Sequence, residues 1–289
     1  MDSKLRDYAL ITGNYWAFTL TDGALRMLVV LHFHILGFAP FEIASLFLFY
    51  EFFGIVTNAV GGWLGARIGL IRTMQIGLLL QVAALSMLLV PETMLTMVWV
   101  MVAQALSGIA KDLNKMSAKS SMKLIARDQD NGLYRIVAFL TGSKNALKGA
   151  GFFVGAILLS VFGFQGAVIA MVSMLTLVWL LSLLLLRREL GVMKNKPKSS
   201  QIFSKSRAVN WLSLARFFLF GARDVWFVVA LPVFLHETVR WDFWQVGGYL
   251  ASWIIIYGCI QTVAPQLTGK DKALRAVRAQ LAMLGGLLA

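Results

Sequence analysis

An apolar run from Ile11 to Leu36 carries an acid and a base, Asp22 and Arg26, close to its middle. About 20 helical residues rising 1.5 Å each cross the hydrocarbon of a bilayer, and this run is long enough to do so. A charged side chain at that depth costs about 2.5 to 3.5 kcal/mol, so both groups need a partner or a purpose. Thr12, Tyr15, Thr19, Asp22 and Arg26 recur every three or four residues and share one helical face, leaving Leu, Phe, Val and Ala to the others. That polar face has to meet protein or water. Either the pair belongs to a substrate or proton pathway, or it is an ion pair one helical turn apart that neutralises itself within the helix.

With 58% hydrophobic and only 14% charged residues, and a mean hydropathy of +0.73, the chain has too little charge to clothe a soluble globule. The expected class is an all-α polytopic membrane protein, with the lipid bilayer as its first partner. A net charge of +13 raises the question of nucleic acid, but the basic residues sit mainly in short loops between apolar runs rather than on a soluble basic face. The excess of basic residues in cytoplasmic loops accounts for most of the charge, and no nucleic-acid partner is expected. Met1 to Tyr8 is polar and the run after it is too long for a signal-peptide core, so the first helix is expected in the mature protein. Cys259, the single cysteine, excludes an internal disulfide and a CxxC metal site. His32 and His34 are two apart and point about 200° from each other on a helix, so neither a metal site nor a cofactor is expected.

Eight spans are expected, with the start of a ninth. The second, from about Ile43 to Leu64, places Glu51, Gly54, Asn58 and Gly61 on one face, and Gly61 with Gly65 makes a small-xxx-small pair that lets helices approach closely. The third runs from Arg72 to about Val90, and Pro91 and Glu92 mark the opposite side. The fourth starts near Met94 and stays helical into Lys111-Asp-Leu-Asn-Lys115, with Gln104, Gly108, Lys111 and Lys115 on one face. A basic loop follows. The fifth, from about Ile136, holds Thr141, Lys144 and Lys148 on one face; Lys144 has the option of snorkelling to the interface, whereas Lys148 lies about 20 Å along the helix. The phosphate-loop pattern GxxxxGK[ST] is absent from this stretch, which lies inside an apolar helix. Gly163 to Gly166 links to a sixth span ending near Leu186.

Residues 1–186 thus form an amino-terminal bundle of six helices, residues 187–207 a basic linker with Pro197 and several serines, and residues 208–289 an incomplete second bundle. Span seven, from about Ala208 to Leu235, carries Arg216, Arg223 and Asp224, and span eight runs from about Phe243 to Leu267. The apolar end at Gln280 to Ala289 is too short to cross, and a partial sequence is expected. Lys4, Arg6, Arg67, Arg72, the stretch from Lys111 to Arg135, the linker and Lys270 to Arg278 fall on one side, with only Arg240 clearly on the other. That side is expected to be the cytoplasm of a cell (inner) membrane protein whose amino terminus lies inside. Gly23-Ala-Leu-Arg26 before Val29-Val30 and Gly221-Ala-Arg-Asp224 before Val228-Val229 form a faint repeat at the start of each half.

Six spans, a basic linker and a second set resemble the major facilitator superfamily, whose six-plus-six fold implies a transporter. Gly62-Trp-Leu-Gly-Ala-Arg-Ile-Gly69 is similar to the superfamily motif GxLaDrxG; Gly62, Arg67 and Gly69 match, and Ala66 stands where the motif has its Asp. Gly13 to Arg26, Phe49 to Asn58, Ser107 to Lys119 and Gly142 to Gly149 resemble the ArsJ-type organoarsenical efflux permeases. That resemblance implies export of 1-arseno-3-phosphoglycerate, hence arsenate resistance, and a functional link to a glyceraldehyde-3-phosphate dehydrogenase that forms the ester.

Arg26, Lys144, Lys148, Arg216 and Arg223 are the candidate intramembrane cations, against Asp22, Glu51 and Asp224 as anions and candidate proton carriers. Cations outnumber anions. A surplus of buried positive charge calls for a small anionic substrate, and arginine forks suit phosphate or arsenate oxygens. The absence of clustered cysteines argues against a thiolate site for trivalent arsenic. The expected protein is an antiporter-type exporter driven by protons; the alternative is a superfamily exporter of another anionic metabolite or drug. An intramembrane enzyme using Glu51 and Asp22 lacks any catalytic constellation such as HExxH, so no enzymatic activity is expected.

Overall fold

In the computed structural model, the described residues are 3–126, 132–186, 190–192, 206–224, 231, 234–235 and 238–268, and every regular element among them is helical. The helices are α1 (Ser3–Ile35), α2 (Pro40–Leu46), α3 (Leu48–Ile68), α4 (Leu70–Ser86), α5 (Met97–Ala126), α6 (Gly132–Leu185), α7 (Arg207–Asp224) and α8 (Phe243–Thr268). Two 3-10 turns, Met87–Leu89 and Glu92–Met94, join α4 to α5.

Several boundaries differ from the sequence expectation for local reasons. The second span is split: Phe47 is a turn residue between α2 and α3, with φ −92° and ψ −3°, and its carbonyl accepts from Glu51 N–H at 3.1 Å as the N-cap of α3. The fourth span runs much further than its apolar part, because α5 continues to Ala126 through the lysine-rich stretch. The link expected at Gly163 to Gly166 contracts to Gly163 alone, whose φ of 67° and ψ of −178° are a glycine conformation, with helix on both sides.

Gly163 turns α6 into two legs. Two helices among the described residues are long and apolar enough to cross a bilayer, Leu70–Leu89 and Ala138–Leu185, and the second has 48 residues. Straight, 48 residues would reach roughly 70 Å, more than twice the hydrocarbon thickness. Instead the second leg runs back along the first. Leu186 shares an apolar cluster with Leu140 and Ile11, and Asn14 Nδ2 donates to Ser182 Oγ at 3.0 Å.

The helices α1 and α6, α6 and α8, α4 and α5, and α3 and α5 make the main interfaces. Glycines set the closest crossings. A Cβ on Gly155 would lie 2.3 Å from the Ala24 carbonyl oxygen, one on Gly151 2.5 Å from that of Leu20, and one on Gly23 2.5 Å from that of Lys148, so α1 and α6 touch backbone to backbone. On the other side of α6, Gly142 and Gly258 seat α8 equally closely. The pair expected on the second span meets side chains rather than backbone: a Cβ on Gly61 would face Met116 at 3.5 Å and Leu113 at 4.0 Å, and one on Gly65 would face Leu70 at 2.8 Å and Met116 at 3.2 Å. Helix α8 opens with a reciprocal cap, Gln245 N–H donating to Asp242 Oδ1 at 2.7 Å and Asp242 N–H to Gln245 Oε1 at 3.0 Å.

Two apolar clusters fill the bundle. One gathers Phe18, Leu28, Phe33, Leu85, Val100 and Phe164; the other gathers Ile11, Tyr15, Met74, Met122 and Leu140. Along α5 and α6 the charged residues fall between them. Outward faces carry exposed Ile157, Val161, Leu177, Leu184, Trp253 and Ile256, an apolar surface suited to lipid.

Candidate functional site

Four helices bring charged side chains to one place. Helix α1 supplies Asp22 and Arg26, one turn apart. Arg26 does not turn to Asp22: its Nη2 donates to Glu51 Oε1 on α3 at 2.6 Å. Asp22, only 4% exposed, accepts instead from the Tyr50 hydroxyl at 2.5 Å. The self-neutralising pair within α1 is thereby replaced by two contacts between α1 and α3.

Helix α5 adds a second set of cations. Lys111 Nζ donates to Glu51 Oε2 at 3.4 Å and lies 3.7 Å from Asp112 Oδ2, while Lys115 Nζ donates to Asp112 Oδ1 at 2.7 Å. Lys111, counted from the sequence among the basic residues of the cytoplasmic side, lies on α5 and reaches the Arg26–Glu51 pair. The fully buried Tyr50 ring is shared by both cations, with Arg26 Cζ 4.3 Å and Lys111 Nζ 4.0 Å from its centroid. Two glycines make the approach of α5 to α3 possible. A Cβ on Gly108 would stand 2.1 Å from the Tyr50 carbonyl oxygen, and one on Gly54 2.7 Å from Asp112 Oδ2.

Helix α6 closes the cluster with Lys148, within Coulombic reach of Arg26, Asp22, Lys111 and Glu51, and Lys144, within reach of Lys148, Lys111, Lys115 and Lys119. Both side chains are partly buried, and among the described residues no carboxylate pairs with either. Among the described residues, the basic side chains of Arg26, Lys111, Lys115, Lys144 and Lys148 outnumber the carboxylates Asp22, Glu51 and Asp112 at this place.

Of the residues singled out from sequence, Asp22, Arg26, Glu51, Lys144 and Lys148 come together, whereas the side chains of Arg216, Arg223 and Asp224 lie outside the described residues. Tyr50, Lys111, Asp112 and Lys115 were missed. Their signal was present: Lys111 and Lys115 share a helical face with Gln104 and Gly108 in a span that stays helical past its apolar part. His32, considered for a metal, instead stacks on Phe164 with ring centroids 3.8 Å apart.

The link between α3 and α4 supports the same architecture. Gly69, at φ 102°, ends α3 and its N–H donates to the Gly65 carbonyl, while Leu70 N–H donates to the carbonyl of Leu190 at 2.9 Å, tying the link to the chain beyond α6. Arg67 lies over the Trp63 ring at 5.1 Å. The chain matches the family model of the Major Facilitator Superfamily over residues 11–289. It belongs to the major facilitator superfamily. Membership makes it a membrane protein of a transporter family. No curated protein matches the chain. Within the superfamily, this chain has Ala66 where the loop motif carries an acid, so Arg67 has no carboxylate at that position and rests on Trp63 instead.

Proposed function

We propose that the protein exports a small organic anion carrying phosphate or arsenate groups, of which 1-arseno-3-phosphoglycerate is the candidate, and thereby confers arsenate resistance. The observation that carries this reading is the pair Lys144 and Lys148, which among the described residues have no carboxylate within ion-pair distance, with Lys148 beside Arg26 and Lys144 beside Lys148. A guanidinium offers a fork to two oxygens of one oxyanion, and the ammonium groups supply point charges at adjustable distance. Nothing in this cluster selects arsenic over phosphorus, so specificity for the ester rests on the sequence resemblance, and export of another anionic metabolite uses the same cations. Proton coupling enters through Asp22 and Glu51, the carboxylates within reach of those cations, with Asp224 as a third carrier in the second half.

The test is uptake of the arsenylated ester into inverted membrane vesicles, with and without a pH gradient, beside the arsenate resistance of intact cells. Lys148→Gln is expected to cut uptake by about tenfold or more, the cost of one charge-assisted contact, at unchanged membrane level. Uptake of unmodified 3-phosphoglycerate but not of the arsenylated ester would select the alternative substrate. Normal transport by Lys148→Gln would remove the anion site.

A further inference from the structure

Glu51 occupies an unusual position for a carboxylate in an anion site. One oxygen is held by Arg26 and the other by Lys111, the two cations that share the Tyr50 ring. The two holders are largely covered, with side chains 15% and 18% exposed, whereas Glu51 keeps 47% of its own surface open. A carboxylate bridging a guanidinium and an ammonium, with its far side open, has the shape and charge of one edge of a phosphate or arsenate group. We infer that Glu51 is a tethered counter-anion, which the oxyanion of the substrate displaces from Arg26 and Lys111, and that Lys111 is then a direct ligand of that oxyanion. This inference rests on the anion-export reading above.

The arrangement follows from the cost of leaving cations bare. Without Glu51, Arg26 would have no carboxylate within ion-pair distance among the described residues and Lys111 only Asp112 Oδ2 at 3.7 Å, and Glu51 supplies the missing counter-charge. An arriving phosphate monoester brings two negative charges and more acceptor oxygens, so it competes for both cations. Displaced, the Glu51 carboxylate loses both partners that favour its ionised form, and proton uptake then restores neutrality. Asp112 does not play this part. It is held by Lys115 at 2.7 Å and more loosely by Lys111 at 3.7 Å, both on its own helix, and is only 4% exposed. Asp22 is capped by Tyr50 and equally covered.

The experiment is calorimetric titration of the full chain, in nanodiscs and phosphate-free buffer, with 3-phosphoglycerate as a stable phosphate monoester. Removing the competitor by Glu51→Gln is expected to tighten Kd by about tenfold, and Lys111→Gln to weaken it by about tenfold. The double variant separates two roles of Lys111. A ligand of the substrate still weakens binding in the Glu51→Gln background, whereas a residue that only holds Glu51 becomes silent there. Glu51→Asp keeps the charge but is one methylene too short to bridge both cations, and it is expected to tighten binding by a few-fold; it serves if Glu51→Gln fails to elute as a monodisperse protein. Unchanged or weaker binding in the Glu51 variants overturns the displacement while leaving the anion site standing. Absence of 3-phosphoglycerate binding in wild type and every variant overturns both.

Discussion

Tyr50 shows how one residue organises the site. Its ring lies against two cations and its hydroxyl neutralises the demand of a buried carboxylate for a donor, so three charges depend on it. Tyr50→Phe keeps the ring and its contacts with Arg26 and Lys111 but leaves Asp22 without that donor. Losing the partner of a buried charged group costs about 1 to 3 kcal/mol. The apparent Tm, followed by tryptophan fluorescence, is therefore expected to fall by several degrees, at about 2 to 4 °C per kcal/mol. Adding Asp22→Asn to that variant removes the bare charge and is expected to recover a large part of the loss. A single Tyr50→Phe variant as stable as wild type would show that Asp22 finds another donor.

At the scale of elements, the site depends on how close α1 comes to α6, since Arg26 rides on one and Lys148 on the other. Gly23, Gly151 and Gly155 permit backbone contact between them, and the three nearest neighbours of a Cβ at Gly155 are Ala24 backbone atoms, which cannot rotate away. Gly155→Ala is expected to push the helices apart, reduce the folded yield and lower the apparent Tm by several degrees, because overpacking of this kind costs about 1 to 3 kcal/mol or more. Gly61→Ala, where the added methyl meets Met116 at 3.5 Å, is the matched control and is expected to be tolerated. Equal stability of the two variants would mean that α1 and α6 are not in backbone contact.

For the whole molecule, orientation is the property on which inside and outside depend. The excess of basic residues on one side predicts that a reporter inserted near Lys198 is cytoplasmic and that one inserted at Arg240 faces outward. Arg240 suits the insertion: it is an exposed residue at φ 63° in the turn just before the capped start of α8. Protease accessibility in right-side-out and inverted vesicles reads both positions. The reverse pattern would invert the direction of transport.

Membrane residence and helical class were legible in the sequence, because long apolar runs broken by basic loops admit few other solutions in a bilayer. The polar face of the first helix was legible too, since it follows from helical periodicity alone. Pairing was not. Asp22 and Arg26 are one turn apart in the chain, and only the packing of α3 and α5 against α1 offered each a partner closer than the other. By sequence Lys111 counts among the basic residues of one side of the membrane, and the bare backbone of Gly108 and Gly54 lets α5 bring it to Glu51. Periodicity fixes which face of a helix a charge occupies; which helix that face meets is decided by contacts between residues far apart in the chain, and those exist only once the bundle has closed.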